Sequence, residues 1–214
     1  MDEKIVEIIN KNQAEQEEVV DDKSYEEKIA ASIRKVSLII DGQLIEFSAR
    51  TILDERLKIY LPDFFEVMSA EIAALKYPSA RRPELIYTNP DTTINLSFNH
   101  TASELKSDIT EDEMTGFKDY MLEVIQKMQP AAEILADGVE EINGQQLGFL
   151  EFVTPALDTD IYNFNFLVEL QGRALICSFN CIAEKMADWK VAAKGMMQTV
   201  EIVSEEVKGG SLDG

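Results

Sequence analysis

Histidine and cysteine, which supply many metal ligands and catalytic groups, are nearly absent from this sequence of 214 residues. It has one histidine, His100, and two cysteines, Cys177 and Cys181. A structural zinc site needs four ligands, so these residues are too few for one. His100 ends a predicted strand, where a surface or turn position is the expected role. We predict no catalytic residue, no metal ion and no cofactor, and therefore a protein that is not an enzyme.

The spacing of the two cysteines would allow a site only in a helix, where residues four apart are neighbours. Leu175, Cys177, Phe179 and Cys181 alternate with Ile176, Ser178 and Asn180 after a turn, which indicates a strand. Four residues of strand span roughly 13 Å, whereas a disulfide needs Cα atoms within about 7 Å. We therefore predict two reduced cysteines in the core.

Glycine-rich phosphate loops and a nucleophile elbow are missing as well. The sequence has no P-loop, no G-x-G-x-x-G and no G-x-S-x-G. Asp158, Asp160 and Glu169 match three positions of a calcium loop, but Asn163 stands where that loop needs glycine. Common nucleotide, hydrolase and calcium sites are thus not indicated.

Basic residues are few: 20 lysines and arginines stand against 40 acids, a net charge of −20. Binding to nucleic acid or anionic membranes depends on clustered positive charge, so we expect neither partner. No N-terminal signal sequence is recognisable, and the apolar run at 36–40 is far shorter than the roughly 20 residues that span a bilayer. We expect a cytoplasmic protein whose partner is another protein, and the sequence leaves homo-oligomers open.

Composition divides the chain into three parts. Residues 1–35 form an acidic N-terminal arm, either helical or a solvated tail, with ten acids against three lysines in residues 1–27. Residues 36–204 contain no Pro/Gly/Ser linker and no repeat, which indicates a single domain. Residues 205–214 form a flexible C-terminal tail by composition.

Turn-forming dipeptides separate strand-like runs throughout the domain. They are Asp41-Gly42, Asp137-Gly138, Asn143-Gly144 and Gln171-Gly172. Such pairs tolerate the positive φ angles of tight hairpins, so the strands should pair antiparallel. Alternation predicts Tyr162, Phe164, Phe166, Val168 and Leu170 on one face of a strand, with Asn163 and Asn165 on the other.

Helical periodicity appears in three places. Thr110 and Glu113 form a capping box ahead of apolar residues at helical spacing, and Pro130 ends that helix. A second helix is predicted over residues 184–199, and a short one over 69–76. Strands and helices come in blocks, which predicts an α+β single domain: an antiparallel β-sheet packed by helices.

The order of elements resembles the PsbP/DcrB-like fold over about residues 40–203. The phrases that carry the resemblance are LKIYLPDFFEVM (57–68), KYPSARRPELIYTNPDTTINLSF (76–98) and RALICSFNCIAEKMADWKVAAKGMMQTVEIV (173–203). The resemblance implies a central antiparallel sheet flanked by helices. That group includes photosystem accessory proteins, a partner of the GTPase Ran and chaperones of type VI secretion effectors, most of which bind proteins. It supplies no catalytic residues.

One basic island in residues 76–90 is the candidate site for a partner or an anion. It contains Tyr77, Arg81, Arg82 and Tyr87. Arginine and tyrosine are enriched at binding hot spots. We expect a non-enzymatic protein-interaction module, an adaptor or chaperone-like accessory protein. The alternative is a small-ligand-binding protein or a hydrolase that uses Arg81 and Arg82 as an anion site, in which case a deep pocket with His100 nearby is expected.

Overall fold

The computed structural model describes Ile33, residues 37–79 and residues 82–203. The predictions for the N-terminal arm, apart from Ile33, and for the C-terminal tail lie outside these residues. Ile33 itself is fully buried in the main core. Within the described ranges, no helix combines the length and the hydropathy that crossing a bilayer requires.

The described strands form two antiparallel sheets. The smaller sheet has the order β1-β2-β3-β11. Its strands are β1 (Ser37–Ile40), β2 (Gln43–Ile52), β3 (Leu57–Pro62) and β11 (Glu201–Ile202). The larger sheet has the order β4-β5-β6-β10-β9-β8-β7. Its strands are β4 (Glu66–Val67), β5 (Leu85–Thr88), β6 (Ile94–Glu104), β7 (Glu133–Ile142), β8 (Gln145–Thr154), β9 (Ile161–Leu170) and β10 (Arg173–Ile182).

Three of the four predicted hairpin turns are confirmed. Asp41-Gly42, Asn143-Gly144 and Gln171-Gly172 join consecutive antiparallel strands, and all six residues have positive φ. The prediction for Asp137-Gly138 was wrong, because this pair lies inside β7, opposite Leu150 and Phe149 of β8. A Cβ on Gly138 would stand 2.8 Å from the ring of Phe149. Glycine at position 138 therefore accommodates the ring of Phe149 and does not form a turn.

The helices match their sequence signals closely. They are α1 (Ala70–Lys76), α2 (Glu111–Met128) and α3 (Met186–Met197), the last preceded by a 3-10 turn at Ala183–Lys185. Ser69 caps α1, and Thr110 with Glu113 forms the predicted capping box of α2. Trp189, Ala192, Ala193, Met196 and Met197 are buried on α3.

The main core lies where α3 packs against both sheets. The ring of Trp189 stacks on Phe65 at 6.2 Å between centroids and on Phe179 of β10 at 6.0 Å. Cys177 and Cys181 lie on the same face of β10 and are buried as free thiols, as predicted. The α+β single-domain architecture is confirmed.

Candidate functional site

The face of the larger sheet opposite the main core is only partly covered by helices. Helix α1 packs through Ala73 onto Ile86 of β5. Helix α2 crosses β8 at Gly148, where a Cβ would lie 3.3 Å from both Met114 and Lys118. Strands β6, β10 and β9 lie between β5 and β8. Their outer residues therefore form the floor of a groove between the two helices.

Uncharged polar side chains make up this floor, which we call the amide floor. The strand register places Asn180 between Asn95 and Asn163, and Ser178 between Ser97 and Asn165. Asn99 continues the outer face of β6 toward the other end. The amide floor as a whole consists of Asn95, Ser97, Asn99, Asn163, Asn165, Ser178 and Asn180.

One end of the amide floor is tied together by hydrogen bonds. Thr88 Oγ1 donates to Asn95 Oδ1 at 2.7 Å, and Asn95 Nδ2 donates to Asn180 Oδ1 at 2.9 Å. Tyr77, which follows α1, shares a side-chain hydrogen bond with Asn180. Burial raises the pKa of Tyr77, although the bond to Asn180 opposes that shift. The phenol stays protonated at neutral pH and reaches from α1 across β6 to Asn180 of β10, two strands from β5.

The rest of the amide floor keeps free hydrogen-bonding capacity. In the described part of the chain, no side-chain hydrogen bond joins Asn99, Asn165 or Ser178 to another residue. All three are half-buried. Their polar atoms are not among the fully buried ones, so they keep contact with solvent and can bond a ligand that both donates and accepts hydrogen bonds.

Two ion pairs fix how α2 is turned above the sheet. Lys118 is buried and its ammonium binds Asp137 of the edge strand β7, while Lys106, just after β6, binds Glu113. Successive helical residues are about 100° apart. The flank that carries Phe117 therefore faces away from β7 and toward the amide floor.

That flank of α2 forms an apolar wall, which consists of Phe117, Val124 and Met128, with Tyr120 at its solvent-facing edge. Phe117 is partly buried against the cluster of Met114 and Leu167. Tyr120 and Met128 are 59% and 77% exposed. The groove thus combines an uncharged polar floor with one apolar, aromatic-bearing side.

The predicted site residues separate in the structure. Tyr77 lies at the groove, and Arg82 is exposed, while Arg81 lies outside the described residues. Tyr87 is buried on the core face of β5, edge-on to Phe98 and beneath Arg50 at 5.3 Å. Tyr87 therefore cannot belong to an exposed patch with Arg82, and the predicted cluster does not form as a unit.

His100 and the cysteines lie on the other face of the larger sheet. His100 stands within β6 rather than at its end, half-buried, with Nε2 at 2.8 Å from the carbonyl oxygen of Leu170. Burial raises the pKa of Cys177 well above its usual value and that of Cys181 to about 12. Neither thiol is a nucleophile at neutral pH.

One buried carboxylate also has a structural explanation. Glu151 of β8 is 5% exposed on the core side and is paired with Lys190 of α3 at 3.0 Å. Burial raises the pKa of the adjacent Tyr162, and Glu151 adds to the shift. In the described ranges, His, Cys, Asp and Glu form no group of three or more that could hold a metal ion.

The sequence carries a partial signal for the amide floor. Alternation predicts Asn163 and Asn165 on the polar face of their strand, and Asn95, Ser97, Ser178 and Asn180 alternate with apolar residues in the same way. What it lacked was the strand order, which makes β6, β10 and β9 adjacent. Three neighbouring strands with asparagine or serine at successive outer positions mark a surface without a covering helix.

Two antiparallel sheets with helices packed against them make up a PsbP-like fold. The solution structure of cyanobacterial PsbP (CyanoP) from Synechocystis sp. PCC 6803 matches with a TM-score of 0.55 and 12% identity. The match covers 73% of this chain and 92% of that one. The fold implied by the sequence resemblance is thereby confirmed.

Weaker matches come from two other bacteria. LpqN, involved in cell envelope biogenesis of Mycobacterium tuberculosis, gives a TM-score of 0.47 at 14% identity, over 82% of this chain and 97% of that one. A Pseudomonas aeruginosa protein of unknown function, PA94, gives 0.43 at 13% identity, over 74% and 98%. No protein-family model and no curated protein matches the sequence.

Proposed function

We propose that the protein is a non-enzymatic protein-interaction module that binds its partner in the groove between α1 and α2. The observation that carries the proposal is the half-buried set Asn99, Asn165 and Ser178, whose side chains bond no described residue. A neutral floor beside an apolar wall suits a polypeptide, which offers both amide groups and apolar side chains.

The electrostatics of the groove favour binding over acid–base chemistry. Glu113, on the groove side of α2, has its pKa lowered by the hydrogen bond from Lys106. A general acid at neutral pH needs its pKa raised, so Glu113 is shifted in the wrong direction. Met128 of α2 is exposed and its flexible side chain can adapt to differently shaped partners, which suits an adaptor or chaperone-like accessory protein.

Site-specific photo-crosslinking in the producing cells tests this proposal. A photoreactive phenylalanine analogue at Tyr120, on the apolar wall, should form a covalent adduct with one defined protein. The adduct should disappear in Asn165→Lys, which places a charged side chain on the floor. The matched control carries the same analogue at Ile39, which is 72% exposed on the smaller sheet. Circular dichroism should show that Asn165→Lys folds.

Adducts that persist in Asn165→Lys, or that form equally from Ile39, would contradict the proposal. No adduct from Tyr120, together with a small molecule that co-purifies with the protein, would favour the small-ligand alternative. The arginine pair 81–82 would then be the first place to substitute.

A further inference from the structure

The groove is too narrow for a second helix. Four strand spacings separate β5, under α1, from β8, under α2, which is about 19 Å at 4.8 Å per strand. Each helix has a diameter of roughly 10 Å, so the two helices leave a gap of about 9 Å, which Tyr77 narrows further where it reaches Asn180. A bound helix would need at least 10 Å, whereas an extended chain fits.

The length of the amide floor sets how much of such a chain is contacted. Asn95 and Ser97 are buried, so the accessible part of the floor is made by its half-buried members. From the level of Asn163 to that of Asn99 it runs along the strands for roughly 13 Å. About four or five residues of extended peptide cover that distance. The chain's own amides would meet Asn99, Asn165 and Ser178, and alternate side chains would reach Phe117 and Tyr120 on the apolar wall.

The charge of the groove differs between its floor and one of its ends, so a bound peptide should differ in charge between its centre and that end. The amide floor is uncharged, so a buried charge on the peptide would lose its hydration without an ionic partner. The end of the groove near the first residues of β6 and β9 carries exposed Asp91, Asp158 and Asp160. Lys76 lies there too, with its ammonium bonded to the carbonyl of Thr92. The local balance is acidic, in a chain with a net charge of −20.

We infer that the groove binds an extended peptide segment of a partner protein, uncharged where it crosses the amide floor and basic where it leaves past Asp91 and Asp160. This assignment rests on the proposed function and specifies the chemistry of the partner. Complementary charge at the exit accelerates association and makes it sensitive to salt.

The test is selection of random peptides from a phage-displayed library on the full-length protein, with counter-selection against Asn165→Lys. Recovered peptides should have neutral centres with apolar residues at alternate positions, and lysine or arginine at one end. Fluorescence anisotropy then gives each Kd. We expect Asn165→Ala and Asn99→Ala each to weaken binding about fivefold, the effect of one lost hydrogen bond of about 1 kcal/mol. Gln43→Ala, an exposed amide on the smaller sheet, should leave Kd unchanged.

A proline scan of the peptide tests the extended conformation. Proline should be tolerated at alternate central positions, since an extended chain accommodates its φ angle, whereas a bound helix would lose affinity at every central position. Raised salt should weaken only peptides with the basic end. Loss of affinity throughout the scan, or a preference for acidic peptides, would overturn the inference.

The interaction-module proposal and the extended-peptide inference can fail separately. A Tyr120 adduct without any selected peptide would leave the interaction module standing and remove the extended-peptide assignment. A glycan that binds the wild type but not Asn165→Lys, with no peptide enriched, would overturn both in favour of a carbohydrate. Peptides that bind the Asn165→Lys variant as tightly as the wild type would place their site elsewhere and overturn the inference.

Discussion

Substituting Gly138 by alanine should destabilise the protein through one side chain, Phe149. The new Cβ would lie 2.8 Å from Cε1 and 2.9 Å from Cζ of that ring, whereas carbon atoms prefer roughly 3.5–4.0 Å. The ring has little room to move, because it stacks on Phe164 at 5.8 Å and has the ammonium of Lys194 5.0 Å from its centroid. Overpacking of this kind costs about 1–3 kcal/mol.

Gly138→Ala also has a stabilising effect on the free energy of unfolding, and it is smaller than the cost of overpacking. Replacing glycine by alanine stiffens the unfolded chain and stabilises a protein by about 0.4–1 kcal/mol where the backbone permits it. Gly138 is not among the residues with positive φ, so that gain applies. The net destabilisation of Gly138→Ala should be about 1–2 kcal/mol, and the melting temperature should fall by about 2–8 °C for a chain of this size.

Urea unfolding followed by fluorescence gives a direct measurement, since Trp189 is the sole tryptophan of the sequence and is buried. A double-mutant cycle with Phe149→Leu should show a coupling of about 1 kcal/mol, because the smaller side chain relieves the overlap. Gly116→Ala is the matched control: apart from the adjacent residues and the backbone of its own helix, nothing lies within 4 Å of its Cβ, and it should stabilise α2 by up to about 1 kcal/mol.

The double-mutant cycle of Gly138→Ala with Phe149→Leu distinguishes a strand at residues 137–138 from a hairpin turn there. If residues 137–138 formed a hairpin turn, Gly138→Ala would be strained by its backbone alone and would not couple to Phe149. A destabilised Gly138→Ala without coupling, or one as stable as the wild type, would refute the packing argument.

Four further predictions concern separate parts of the fold. Thr110→Ala should lower the free energy of unfolding by about 1 kcal/mol in urea titrations, whereas Thr110→Ser should match the wild type. The lowered pKa of Glu113 means that its stabilising contribution is present above its unfolded pKa of about 4.3 and is lost as pH falls further, so acid unfolding should begin at higher pH in Glu113→Gln. Cys177 and Cys181 should resist maleimide at pH 8 until urea unfolds the protein; rapid native labelling would contradict their burial. Asn165→Val should raise stability by about 0.5–1 kcal/mol while it weakens the Tyr120 cross-link, and a destabilised variant would show that the amide has a structural role.

Local chemistry predicted much of the secondary structure. The capping box of α2 and the Asn143-Gly144 turn depend on bonds among residues close in sequence, so they can be read directly. Asp137-Gly138 shows the limit of that reasoning. The same residue types suit a turn or a crowded strand, and the contact with Phe149 that decides between them comes from the neighbouring strand.

The candidate site was less predictable because residues far apart in sequence form it. Tyr87 and Arg82 are close in the chain, but pairing of β5 with β6 turns the Tyr87 ring into the core. Asn95 and Asn180 are 85 residues apart and share a hydrogen bond. Composition can identify polar strand faces, but only the strand order shows that they adjoin.

The amide floor is difficult to explain by stability alone. Asparagine is disfavoured in strands, and β-branched residues at these central positions would pair better with their neighbours. The core face of the same sheet carries aromatic residues such as Phe164 and Phe166. Helix α2 covers its outer face at β8. Polar residues that retain unused hydrogen bonds at the centre of an otherwise well-packed sheet are typical of surfaces that meet another molecule. A PsbP-like fold alone fixes no activity, so the proposed function rests on the chemistry of this groove.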